Sequence, residues 1–82
     1  MNRKDIATYF DKYCRFKLRS GKEVYGVIWE NAQGEMVEHY FASAVERDKF
    51  KHAEQVNDID TCEKIKTPVN IDEIIDAQQL DY

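Results

Sequence analysis

The segment from Phe16 to Trp29 constrains the fold most strongly, because its apolar and polar side chains alternate and glycine interrupts it twice. Alternation with a period of two is typical of a strand with one buried face. Ser20-Gly21 predicts a tight turn, since glycine adopts positive φ at no steric cost. Gly26 lies within a run of β-branched and aromatic residues, where a glycine marks a bulge or sharp bend. The segment therefore predicts a hairpin with a strongly bent second strand.

The chain before this hairpin predicts an amphipathic helix of about three turns. Its apolar residues recur at helical spacing and fall on one stripe: Ile6, Tyr9, Phe10 and Tyr13. Asn2 is the expected N-cap, because its side chain can accept a hydrogen bond from a backbone N–H of the first turn. A helix this short is marginal alone, so it needs a surface to pack on.

The segment after the hairpin fits two structures. Residues 36–42 continue either as a third strand or as the start of a helical apolar stripe, and the Gln33-Gly34 turn before them favours the strand. Ser43 and Glu46 have the spacing of a capping box and predict a helix over 44–54. We expect that helix to turn three side chains inward: Val45, Phe50 and Ala53.

The last part of the chain predicts two more strands. Residues 62–66 alternate weakly and read as a strand that Pro68 ends. Residues 70–73 fit one tight helical turn. Residues 74–80 then form the final strand, with Ile75 and Ala77 buried.

These elements predict a single domain over residues 1–82 that is mainly β with α. It consists of an N-terminal helix on a small, strongly bent, antiparallel five-stranded barrel, with one helix inserted around 44–54. No apolar run reaches the roughly 18 residues of a membrane helix. No secretory signal follows the N-terminus, so we expect a cytoplasmic location and no membrane partner.

Residues 18–28 carry a resemblance to a known family. They read Leu-Arg-Ser-Gly-Lys-Glu-Val-Tyr-Gly-Val-Ile, which resembles the first half of the Sm-like motif and, more broadly, the hairpin of Src-homology-3-like barrels. Gly21 and Gly26 have the family's separation of five, and Lys22 stands at its basic position. With the preceding helix, the resemblance covers residues 3–29. It implies a small β-barrel, a ring oligomer and RNA binding.

The chain departs from the Sm-like pattern after this point. The Asp and Asn that line the family's RNA-base pocket do not fall in register within residues 29–33. The family's second motif, an apolar residue followed by Arg-Gly, is replaced by residues 62–66. The resemblance thus implies the barrel more than it implies recognition of uridine-rich RNA.

The net charge of −4 hides two parts of opposite sign. Residues 1–22 carry seven Lys/Arg and two Asp/Glu, a balance of +5, whereas residues 23–82 carry five against fourteen, a balance of −9. Such a molecule can attract copies of itself head to tail, or dock an acidic partner. The basic part holds the candidate nucleic-acid residues: Lys12, Arg15, Lys17, Arg19 and Lys22. Alternatively, these cations pair with neighbouring carboxylates such as Glu23 across the hairpin.

Three aromatic residues are candidates for a protein interface, namely Tyr25, Trp29 and Tyr40. An exposed aromatic patch is typical of a binding hot spot. The alternative is that Trp29 fills the small core.

Nothing in the sequence predicts catalysis, a metal site or a cofactor. The two cysteines and two histidines lack metal-ligand spacing, and neither Ser20 nor Ser43 has the context of a nucleophile elbow. We therefore expect a non-catalytic binding or adaptor module that acts through protein contacts or self-association. The alternative is an Sm-like RNA-binding protein that uses the basic strand 15–22.

Overall fold

The longest strand organises the sheet by changing its partner. In the computed structural model, β2 (Glu23–Gln33) pairs with β1 (Cys14–Leu18) through its first four residues. From Val27 onwards it pairs with β3 (Met36–Ala42). A strand that changes partner in this way turns the corner of a bent sheet.

Two further strands complete an antiparallel sheet of five. The structure describes residues 1–80, and within them the strand order places β4 (Thr67–Pro68) at one edge and β5 (Ile74–Gln79) at the other. The count of five antiparallel strands is confirmed, although the fourth strand lies at Thr67–Pro68 and not at 62–66. The predicted barrel is instead an open sheet, because the two edge strands are not hydrogen-bonded to each other in this part of the chain.

Helical segments flank and interrupt the sheet. They are α1 (Arg3–Ile6), α2 (Ala44–Gln55), α3 (Ile59–Ile65) and two 3₁₀ turns at Ala7–Tyr9 and Ile71–Glu73. The N-terminal helix, the inserted helix and the class of mainly β with α are confirmed. None of the helices within residues 1–80 has the length and hydrophobicity of a membrane span.

Local signals were accurate at both predicted caps. Asn2 Oδ1 accepts a hydrogen bond from the Asp5 N–H at 2.8 Å. Ser43 Oγ accepts from the Glu46 N–H at 3.2 Å, and Glu46 Oε1 accepts from the Ser43 N–H at 3.3 Å. The strand interpretation of residues 36–42 is confirmed, since the chain becomes helical only after Ser43.

The N-terminal helical segment is shorter than predicted and ends at Tyr9. The chain leaves helical geometry at Asp11, which has φ of +60°. The Asp11 N–H donates to the Ile28 carbonyl at 2.9 Å. A tertiary hydrogen bond to β2 thus replaces the last turn of the helix.

The prediction of a strand over 62–66 is wrong, because this stretch belongs to α3. Asp58 caps the helix, accepting from the Thr61 N–H at 3.2 Å and from the Thr61 hydroxyl at 2.6 Å. Cys62 and Ile65, three residues apart, then pack on one face of the sheet. The cap and this helical spacing outweigh the weak alternation.

The sheet has a hydrophobic cluster on each face. The first cluster contains Ile6, Cys14, Phe16, Ile28, Ile71, Ile74 and Ala77. The second contains Val27, Trp29, Tyr40, Ala42 and Phe50. Successive residues of β2 point to opposite faces, so this one strand contributes to both clusters. The N-terminal helix belongs to the first cluster, and α2 and α3 cover the second.

Two predicted core residues are exposed. Val45 is 59% exposed, whereas Phe50 and Ala53 of the same helix are buried as predicted. Ile75 is 48% exposed, whereas Ala77 is buried. In β5 the cause is a register shift opposite Lys17 and Leu18, which turns Ile74 inward in place of Ile75.

Gly26 lies at the bend of β2, where β3 comes too close for any side chain. A Cβ atom at this position would lie 2.4 Å from the Ala42 carbonyl oxygen and 2.8 Å from the Phe41 ring. Real Cβ contacts are essentially never below 3.0 Å. The bend that joins the two halves of the sheet therefore needs a glycine.

We expect Gly26→Ala to lower the free energy of unfolding by about 1–3 kcal/mol, because one added methyl group overpacks the bend. Urea denaturation followed by circular dichroism measures the change. Gly34→Asn is the matched control, since this glycine has open space around it and asparagine tolerates its φ of +61°. A Gly26→Ala variant as stable as the control would contradict this account of the bend.

Candidate functional site

The five predicted basic residues do not form one free surface. Arg15, on the exposed side of β1, is held by its neighbours on both flanking strands. Its Nη1 donates to Glu23 Oε1 at 2.8 Å, while Nη2 lies 3.6 Å from an Asp76 oxygen and 3.3 Å from Gln78 Oε1. Its charge is therefore matched within the sheet, as in the alternative that paired it with Glu23.

Two more of these residues bond to the backbone. Arg19 Nε donates to the Asp72 carbonyl at 2.9 Å, which ties the β1–β2 turn to the 3₁₀ turn before β5. Lys12 Nζ donates to the Thr8 carbonyl at 2.8 Å. Both side chains thus have structural partners.

Lys17 and Lys22 are the remaining members of the set. Both are exposed, and neither has an ion pair within residues 1–80. Lys17 and Tyr25 point to the same exposed face as Arg15, because the strand register places Tyr25 opposite Arg15. This small group is the part of the predicted basic face that stays open.

The predicted aromatic interface is wrong for two of its three residues. Trp29 is 5% exposed and Tyr40 is 6% exposed, whereas Tyr25 is 51% exposed. The Trp29 ring lies 5.1 Å from the Phe50 ring and 6.0 Å from the Tyr40 ring. The alternative, that Trp29 fills the core, is confirmed.

Arg47 has a role that the hydrophobic pattern of the sequence does not predict. Its guanidinium lies 4.1 Å from the Trp29 ring centroid, and its Nη2 donates to Asp11 Oδ1 at 2.8 Å. Glu54 lies 3.9 Å from Nη1. The inward stripe of α2 therefore includes Arg47 three residues before Phe50, with the long arginine stem covering the indole. The sequence does contain a signal for this role, because Arg47 stands three residues before Phe50, which was predicted to be buried.

A second charged group lies beside Tyr40. The Tyr40 hydroxyl donates to Glu38. This hydrogen bond is the main cause that raises the pKa of Tyr40, and burial raises it further. The Lys66 ammonium lies 4.6 Å from the Tyr40 ring and 3.0 Å from Glu63 Oε1. The hydrogen bond to Glu63 raises the pKa of Lys66. These contacts cover the second cluster on the side of β3.

A cleft of about 190 Å³ lies between Arg47 on Trp29 and Lys66 on Tyr40. Two cations, Arg47 and Lys66, and two carboxylates, Glu30 and Glu54, line it together with the rings of the second cluster. Because the charges balance, the cleft has no net preference for an anion or a cation.

The N-terminal helix is bound to β2 by a paired contact. Arg3 Nε and Nη2 donate to the two Glu30 oxygens at 2.7 and 2.6 Å. The hydrogen bond from Arg3 lowers the pKa of Glu30. His39 Nε2 lies 3.2 Å from the same carboxylate, and the His39 ring packs 5.7 Å from Phe10. These residues are distant in sequence, so no local spacing predicts the contact.

The outer edge of β5 carries backbone groups without a strand partner. The Leu80 N–H donates to the Tyr13 carbonyl at 2.9 Å. In an antiparallel ladder, the residues of a strand bond alternately to one neighbour and to the other. Every second residue before Leu80 therefore also bonds to β1. Gln78 and Asp76 therefore bond to β1. The N–H and C=O groups of Ala77 and Gln79 point outward, and no described strand pairs with them.

The opposite edge of the sheet consists of the short β4 and of residues 36–38 of β3, which β4 does not reach. β4 is only two residues long, and one of them is Pro68, which has no N–H to donate. The Val69 N–H donates to the His39 carbonyl at 2.9 Å, which occupies the next position along β3. The two edges of the sheet thus differ strongly in what they can pair with.

The two serine hydroxyls have hydrogen-bond partners, and the two cysteine thiols have raised pKa values. Ser43 Oγ belongs to the α2 cap, and Ser20 Oγ accepts from the Lys22 N–H at 3.4 Å. Burial raises the pKa of both the Cys14 and the Cys62 thiol, which disfavours the nucleophilic thiolate. Among residues 1–80, no three His, Cys, Asp or Glu side chains come together as metal ligands.

Comparisons with protein-family models, with curated proteins and with solved structures find no match to this chain.

Proposed function

We propose that this protein is a non-catalytic binding module that acts through protein contacts, and that the open edge of β5 is its contact surface. The observation that supports this most is the pair of outward-facing backbone units at Ala77 and Gln79. An unpaired edge of this kind can add a strand from another chain, with backbone hydrogen bonds supplying the affinity.

The composition of β5 supports the same proposal. Natural proteins protect an exposed edge with proline, lysine, a bulge or an inward-pointing charge. From Asp76 to Gln79, β5 has neither proline nor lysine, and its one charge lies 3.6 Å from Arg15. The bulge near Ile75 lies before this stretch. The edge is therefore regular, nearly neutral and ready to pair.

The engaged nucleophiles favour binding over catalysis. The four Ser and Cys side chains are used in a cap, in a turn or in the buried clusters. Self-association through the β5 edge is a form of such binding that needs no partner other than this chain.

Light scattering across a concentration series should give a mass above the 9.7 kDa of one chain. Gln79→Pro should return the protein to a monomer, because it removes an outward N–H without touching the bonds to β1. Gln78→Pro is the contrasting variant, since its N–H bonds to β1 and its loss should lower the melting temperature. A wild-type chain that stays monomeric at every concentration would contradict the proposal.

RNA binding is the second candidate, and one observation favours it. Tyr25 is half exposed and lies on the same open face as Arg15 and Lys17. Exposed aromatic rings beside cations can stack on unpaired bases. Because Arg15 is already paired with carboxylates, this face has less free charge than its sequence implies.

Titration of labelled single-stranded RNA at low and at 200 mM salt separates the two candidates. If protein contacts are the main function, the Kd for RNA should be no tighter than about 10⁻⁴–10⁻⁶ M, which is the range of non-specific electrostatic binding. Sub-micromolar binding that Lys17→Glu abolishes, and that Lys49→Glu on α2 leaves intact, would favour the RNA candidate instead.

A further inference from the structure

We infer that the partner of the β5 edge is a second copy of this chain, joined antiparallel about a twofold axis at Gln78. This inference rests on the proposed function and deepens it by naming the occupant and the register. The dimer would join two five-stranded sheets into one continuous sheet through backbone hydrogen bonds.

The difference between the two edges argues for a symmetric pair. A head-to-tail chain or ring of copies would need β5 of one copy to pair with the opposite edge of the next. That edge offers a two-residue strand with a proline, and the Val69 N–H already bonds to the adjacent His39 carbonyl. Beyond it, only residues 36–38 of β3 lack a described strand partner on this side, a shorter stretch than the one from Asp76 to Gln79. Pairing β5 with β5 uses the regular edge twice and does not need the other one.

Backbone geometry restricts the register of such a pair. Opposed residues in an antiparallel ladder must both be hydrogen-bonded or both be non-bonded. With the axis at Gln78, Ala77 of one copy faces Gln79 of the other, and both have outward backbone groups. The two reciprocal pairs supply four hydrogen bonds, all of them within the regular stretch of β5.

The neighbouring registers are less favourable. An axis at Asp76 would place two carboxylates directly opposite each other, and like charges in that position are destabilising. An axis at Ala77 would oppose Gln79 to Ile75, where the register shift interrupts the strand. The axis at Gln78 instead opposes two glutamine amides, which can hydrogen-bond to each other.

The charges next to the edge are compatible with this pairing. Asp76 would face Leu80 of the second copy, and in its own chain it lies 3.6 Å from Arg15. The two Arg15 residues would lie on strands three spacings apart, roughly 14 Å. That separation exceeds the Debye length of about 8 Å at physiological salt, so their repulsion is screened.

Disulfide trapping tests the register. Opposed residues at a non-bonded position have Cα atoms about 4.5 Å apart, within disulfide range. Gln78→Cys, in a background of Cys14→Ala and Cys62→Ala, should therefore form a covalent dimer under mild oxidation. Gln78 is exposed and lies outside both clusters, whereas Cys14 and Cys62 pack in them. Circular dichroism therefore checks that the background without these cysteines keeps the fold. Non-reducing electrophoresis and intact mass measure the product.

Asp76→Cys in the same background is the matched control. In the proposed register, position 76 of one copy lies four residues along the ladder from position 76 of the other, roughly 13 Å. This variant should therefore stay largely uncross-linked. Preferential cross-linking of Asp76→Cys would overturn the register. The register would also be overturned if Gln78→Cys failed to cross-link in a dimer that Gln79→Pro still dissociates. The proposed function would stand in that case. A monomer overturns both, and assemblies larger than a dimer overturn the symmetric pair.

Discussion

The steric constraint at Gly26 determines the shape of the whole sheet. The Ala42 carbonyl and the Phe41 ring approach β2 so closely there that no Cβ atom fits. This close approach lets β2 leave β1 and continue along β3. Both faces of β2 then become buried, so that Ile28 belongs to one cluster and Trp29 to the other. The same change of partner leaves β4 and β5 as separate edges.

The sequence allowed prediction where a strong local signal was present, whereas the weak alternation of residues 62–66 predicted a strand in place of a helix. The two glycines, the capping box at Ser43 and the alternation of β1 and β2 each depend on residues close together in the chain, and the structure has these elements. The five antiparallel strands and the inserted helix followed from them. Closure of a barrel did not follow, because it depends on how far β4 extends, and a two-residue strand ending in proline is too short to reach β5.

The candidate sites were harder to predict because their chemistry depends on tertiary neighbours. Lys12, Arg15 and Arg19 formed a basic set in the sequence. Folding brings Asp76 and Gln78 to Arg15 and the Asp72 carbonyl to Arg19, whereas Lys12 bonds locally to the Thr8 carbonyl. Trp29 and Tyr40 became core residues because α2 and α3 cover the second face. Arg47 was overlooked because an arginine contributes to a core through its stem and its stacking, which hydrophobic periodicity does not count.

The β5 edge of this sheet is open, and in the proposed dimer a second copy closes it. Hydrogen exchange at single-residue resolution tests this most directly. In dilute protein, the amides of Ala77 and Gln79 should exchange fast while those of Asp76 and Gln78 are protected by β1. Raising the concentration should protect Ala77 and Gln79 and leave other exposed amides unchanged. Equal protection of all four amides in the dilute monomer, or exchange that does not respond to concentration, would contradict the account.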